Sequence, residues 1–68
     1  MKITLNGIEH EAKPAWAVLD LVREELGDEA PKGVAVALNG EVVRRTEWPS
    51  VKLTQGDVIE IVRAKQGG

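Results

Sequence analysis

Val58-Ile59-Glu60-Ile61-Val62-Arg63 decides how this 68-residue chain folds. The run is rich in β-branched residues and follows a turn signal, Gln55-Gly56-Asp57, so it reads as a strand. Ile59 and Ile61 fall on one face, and Val58 and Val62 on the other. Apolar residues on both faces predict a central place in the sheet, with a neighbouring strand on each side.

One neighbour is close upstream. Val34-Ala35-Val36-Ala37-Leu38 is a short, wholly apolar run whose length and β-branching favour a strand over a helix. Asn39-Gly40 follows, a pair that accepts positive φ at both positions and therefore suits a type I′ hairpin turn. Glu41-Val42-Val43-Arg44-Arg45 is the expected partner strand. Thr46-Glu47-Trp48-Pro49 ends the pairing, because proline cannot donate to a ladder. Val51 and Leu53 lie in a brief extended piece. The other neighbour is at the beginning of the chain. Strands at about 2–6 and 8–12 flank Asn6-Gly7, with Ile3 and Leu5 on one face. His10 is the only histidine, and it reads as an ordinary strand position.

Between the hairpins, Lys13-Pro14 breaks the second strand, and Ala15 to Leu26 has helical composition. Ala15, Val18, Leu19, Val22 and Leu26 share one side, with Leu21 at its flank. No Ser, Thr, Asp or Asn stands at the expected N-cap. Gly27 is a natural residue to end the helix. A polar loop, Asp28-Glu29-Ala30-Pro31-Lys32-Gly33, leads to the second hairpin. A single mixed sheet of about five strands with the helix across one face accommodates this order. The first and last strands then lie side by side and parallel, joined through the helix, as parallel pairing requires a crossover. That is an α+β, ubiquitin-like β-grasp fold. One domain is expected over residues 1–64, followed by a flexible tail, 65–68.

Composition removes several functions. Without cysteine there is no disulfide, thiolate zinc site or cysteine nucleophile. A net charge of -2 with intermixed signs does not favour nucleic-acid binding. No apolar run approaches a membrane span, and Met1-Lys2-Ile3-Thr4-Leu5 begins like a strand rather than a signal peptide. A cytoplasmic protein is expected. No nucleophile has a paired base, so the chain does not read as an enzyme.

Val34–Val43, then Arg45, Glu47-Trp48, Gly56–Val62 and the terminal Gly67-Gly68 together resemble the ThiS family of sulfur carriers of thiamine thiazole biosynthesis, and the likeness covers essentially the whole chain. Departures are Arg44, where the family commonly has proline, and Ala17, where it often has threonine. The resemblance implies that an E1-like (ThiF-like) adenylyltransferase activates the Gly68 carboxylate using its own ATP and Mg²⁺, so this chain binds no cofactor or metal. Sulfur from a donor such as a cysteine desulfurase then leaves a thiocarboxylate, which thiazole synthase (ThiG-like) uses. Lys65, Gln66 and Gly67 would thread the tail into the partner. Arg44, Arg45 and Arg63 are either a solvated charged surface or a steering patch for an acidic rim. Trp48 either anchors an interface or packs under the Thr46–Ser50 turn. The sheet face opposite the helix is the natural docking surface. Sulfur carriage toward molybdopterin or tRNA thiolation, a ubiquitin-like modifier, and a noncovalent β-grasp adaptor are the alternatives.

Overall fold

The computed structural model describes residues 1–27 and 32–63. Part of the expected loop, 28–31, and the tail calls on Lys65, Gln66, Gly67 and Gly68 lie outside the described residues.

The elements are β1 (Lys2–Leu5), β2 (Ile8–Glu11), α1 (Val18–Leu26), β3 (Val34–Leu38), β4 (Glu41–Val43), a 3₁₀ turn (Arg45–Glu47) and β5 (Val58–Arg63). They form one mixed sheet in the order β2-β1-β5-β3-β4. β5 is central, as its two apolar faces require. It runs parallel to β1, with Thr4 opposite Val58 and Leu5 opposite Ile59. It runs antiparallel to β3, from Val34 opposite Arg63 to Leu38 opposite Ile59. Both hairpins turn on Asn-Gly, with φ of 50° and 81° at Asn6-Gly7 and 51° and 86° at Asn39-Gly40. Two successive positive φ values are what a type I′ turn demands.

The helix packs on one face of this sheet. Ile3 and Leu5 of β1, Val36, Val43 and Ile59 meet Val18, Leu21 and Val22 of α1 in a single buried cluster with Ala12, Trp48 and Leu53. Leu21 is therefore at the centre of the apolar stripe, not its flank, and Leu19 and Leu26 lie at the margins.

The helix starts at Val18, three residues later than its composition predicts. Ala15 has a φ of 71° and cannot be helical. The chain instead pairs with the segment before β5: Leu53 N–H donates to the Trp16 carbonyl at 2.8 Å, and Ala17 bridges to Lys52. The helical N–H groups that lack partners within the helix find them across the fold. Val18 N–H donates to the Val51 carbonyl at 2.9 Å and Leu19 N–H to the Trp48 carbonyl at 3.0 Å. Ala17 N–H donates to Asp20 Oδ2 at 2.7 Å, so a carboxylate inside the first turn serves where no N-cap side chain exists. At the other end Gly27 takes a left-handed conformation, and its N–H donates to the Arg23 carbonyl at 2.8 Å.

β4 also ends early, at Val43, so Arg44 and Arg45 are not strand residues. The cause is Trp48. Its indole is 1% exposed, and Nε1 donates to the Val43 carbonyl at 3.0 Å. Bringing the ring into the core folds the intervening residues into the 3₁₀ turn, which Trp48 N–H closes by donating to the Arg45 carbonyl at 3.1 Å. Of the two roles the sequence leaves open for Trp48, the structure excludes the exposed interface anchor: it is a core residue.

Candidate functional site

Side chains alternate across a strand, so the residues that do not meet the helix form a second face. On β1 and β2 that face carries Lys2, Thr4, Glu9 and Glu11. Lys2 Nζ lies 3.1 Å from Glu9 Oε2 in an exposed ion pair. On β5, β3 and β4 it carries Val58, Glu60, Val62, Ala35, Ala37 and Val42. The register sets Val62 opposite Ala35, Glu60 opposite Ala37, and Ala37 opposite Val42. Val42 is 76% exposed, Val62 60% and Val58 45%. Half of the open face is thus charged and half is mainly apolar, with Glu60 between. Single exposed apolar residues are ordinary; here Val42, Val58 and Val62 share one sheet face, with Glu60, Ala35 and Ala37 set between them. The signal for Val58 and Val62 was the same double-sided apolar pattern that made β5 central. Sequence reading named the face and did not name Val42, Val58 and Val62 as its surface.

The arginines sit around one end of this sheet. Val43 is level with Val36, and Val36 with Ile61. The chain beyond Val43 therefore runs toward the end at which β5 finishes in Arg63. β4 and β5 are separated by β3, so about 10 Å divides the two arginine-bearing backbones there. Arg45 stacks on the Trp48 ring, with its guanidinium carbon 4.8 Å from the centroid. Arg44 is exposed at the edge of the open face. Arg63 turns to the helix side, where with Leu5, Asn6, Glu25, Leu26 and Ile61 it lines a cavity of about 220 Å³. The structure thus brings Arg44, Arg45 and Arg63 to one end of the sheet without joining them into one cluster.

The base of β5 is held by a polar network. The Asp57 carboxylate accepts from Thr54 N–H at 2.7 Å, Thr54 Oγ1 at 3.0 Å and Asn39 Nδ2 at 3.1 Å. Burial works against its charged form, but these three hydrogen bonds outweigh it and hold the carboxyl below its ordinary range. Away from both features, His10 Nε2 lies 3.3 Å from Glu25 Oε2 and joins β2 to α1. That contact is structural, in keeping with an ordinary strand position. Among the described residues no group of three or more His, Cys, Asp or Glu could hold a metal ion, and no helix is long and apolar enough to cross a membrane.

Comparison with known proteins agrees with this architecture. The model of the ThiS family matches residues 3–68, which includes the Gly-Gly end. The chain is 51% identical over 67 residues to the sulfur carrier protein ThiS of Thermus thermophilus, covering 97% of this chain and 98% of that one. The crystal structure of the thiamine biosynthesis protein ThiS from Geobacter metallireducens superposes with a TM-score of 0.80 at 28% identity, with all of both chains covered. The solution structure of a thiamine biosynthesis protein from the same organism gives 0.78 at 26% identity, covering all of this chain and 88% of that one.

Proposed function

The chain belongs to the ThiS family, and from that premise we propose that it is a sulfur carrier of thiamine biosynthesis whose reactive group is the Gly68 carboxylate. One observation carries the reading. β5, the central strand, places the exposed Val58 and Val62 on the open face and leads in sequence to the segment that ends in Gly67-Gly68. A surface for a partner and a reactive end are thus parts of one strand and its continuation. The body through residue 64 is the handle, and 65–68 is the part that enters the partner.

The chemistry follows from the carboxylate. Ionised at neutral pH, it is a poor electrophile. An E1-like adenylyltransferase, supplying ATP and Mg²⁺, converts it to an acyl-adenylate. A persulfide sulfur from a donor such as a cysteine desulfurase attacks the Gly68 acyl carbon, and AMP leaves with the electrons of the broken C–O bond. A thiol then cleaves the S–S bond, and the thiocarboxylate remains on Gly68. Thiazole synthase is the acceptor. The chain contributes no catalytic group. It docks through Val42, Val58 and Val62, with Arg44 and Arg63 steering approach, and it delivers its end through Lys65, Gln66 and Gly67. The proposed compartment is the cytoplasm.

The test is an intact mass after incubation with the cognate activating enzyme, ATP and a sulfur donor. One oxygen is replaced by sulfur, and deletion of Gly68 abolishes the change. If the native chain gains neither AMP nor sulfur, it is not a carrier. Gene deletion creates a thiamine requirement that thiazole relieves. A molybdenum-cofactor defect in its place overturns the pathway.

A further inference from the structure

The tripeptide Leu-Asn-Gly occurs twice, as Leu5-Asn6-Gly7 and Leu38-Asn39-Gly40. The two copies fold into the same turn with nearly equal φ values. Each asparagine side chain also accepts a hydrogen bond from a backbone N–H of β5 and donates its amide nearby. Asn6 Oδ1 accepts from Ile61 N–H at 2.9 Å, and Asn6 Nδ2 donates to the Ile61 carbonyl at 3.3 Å. Asn39 Oδ1 accepts from Val58 N–H at 2.8 Å, and Asn39 Nδ2 donates to Asp57 Oδ1 at 3.1 Å.

Asparagine followed by glycine is open to intramolecular attack, because no Cβ shields the glycine nitrogen. That nitrogen, having lost its proton, bonds to the asparagine Cγ. The Cγ–Nδ2 bond breaks, ammonia leaves, and a succinimide ring closes. Water then opens either ring carbonyl and leaves aspartate or isoaspartate. An amide held through both of its polar atoms is not free to close the ring, so the rate follows how often the clip opens.

We propose that Asn6 is a spontaneous deamidation site of the folded protein and that Asn39 is a protected one. The clips differ in three ways. Asn39 donates to a carboxylate, a stronger acceptor than the carbonyl that Asn6 meets at longer range. That carboxylate is buried and also held by Thr54. The strands beside Asn39 are paired through five register positions of β3 and β5, whereas β1 and β5 beside Asn6 share two. Conversion at position 6 removes the donor to the Ile61 carbonyl and puts negative charge against it, which loosens β5 two residues before Arg63. This inference is independent of the proposed function.

The native chain, aged in mildly alkaline buffer and digested, is quantified for aspartate and isoaspartate at each position by mass spectrometry. A parallel sample is aged in denaturant. The shared tripeptide makes the denatured rates equal within about twofold. In the native sample position 6 converts about tenfold faster, the rate ratio carried by roughly one charge-assisted hydrogen bond in the cost of opening. Native conversion at position 39 as fast as at position 6, or none at position 6, overturns the proposal. Hydrogen exchange gives a second reading. In the aged fraction the Ile61 N–H exchanges faster and the Val58 N–H does not; unchanged exchange at Ile61 overturns the role of the clip.

Discussion

Ile59 and Val58 are adjacent on β5, differ by a single methylene and live in opposite surroundings. Ile59 is fully buried beneath α1, while Val58 faces water on the open side. The same division runs through the sheet: Ile3, Leu5, Val36 and Val43 lie inward, and Val42, Val62, Ala35 and Ala37 lie outward. Inward residues are apolar because burial in the core stabilises the fold by about 25 cal/mol per Å² removed from water. Outward ones gain nothing comparable from this chain alone. One strand therefore divides at alternate positions, stability on one side and, in the proposed function, association on the other.

The sharpest way to break that comparison is to truncate both neighbours. Ile59→Ala should cost about 2–5 kcal/mol, a large share of the stability of so small a domain. Val58→Ala should stay within about 1 kcal/mol in the same denaturant titration, a limit that allows for lost β-propensity. Comparable losses would mean that the open face is structural. Next in size is the base of β5. The Asp57 carboxyl has its folded pKa below its unfolded value, so its contribution is fully present above the unfolded value near ~3.9 and is lost as pH falls through the folded one. Stability measured against pH should drop below about pH 4. Asp57→Asn should flatten that drop and cost about 1.5–3 kcal/mol at neutral pH, the size of hydrogen bonds to a charged group.

Smaller effects sharpen the outward half. Val42→Thr with Val62→Thr keeps shape and β-propensity, and on a solvated face water satisfies the hydroxyls. Thermal stability should hold within about 0.5 kcal/mol, while affinity for the proposed activating enzyme, measured calorimetrically, should fall about tenfold. Unchanged affinity would remove these valines from the docking surface. Smallest is Arg44→Ala. It should slow association a fewfold at low salt and have no effect at high salt, where screening already removes the attraction.

The topology was legible because it depends on local pattern. Two Asn-Gly pairs set two hairpins, and the doubly apolar β5 set the centre of the sheet. Gly27 marked the end of the helix for the same local reason. The start of the helix was not legible, because its first N–H groups bond to carbonyls of Val51 and Trp48, far away in sequence. Nor was the early end of β4, which depends on where the Trp48 indole finds its acceptor. Arg44 and Arg45 left the strand as a result. At the candidate site, the tail was read from Gly67-Gly68 and lies within the family match. The valines of the open face needed the register to show that they share one face.

The carbonyls of Trp48 and Val51 that cap α1 also govern how this protein assembles. The helix has nine residues, fewer than the ~12–15 that an isolated helix needs in water. Its first turn is completed only when the chain beyond the second hairpin returns to it. Helix formation is therefore a late, cooperative event tied to long-range contacts, and such contacts slow folding. Stopped-flow refolding should show helical dichroism rising together with the burial of Trp48, in a single phase. A fragment covering residues 1–33 should remain unfolded, because it lacks both the cap and the strand around which the sheet is built.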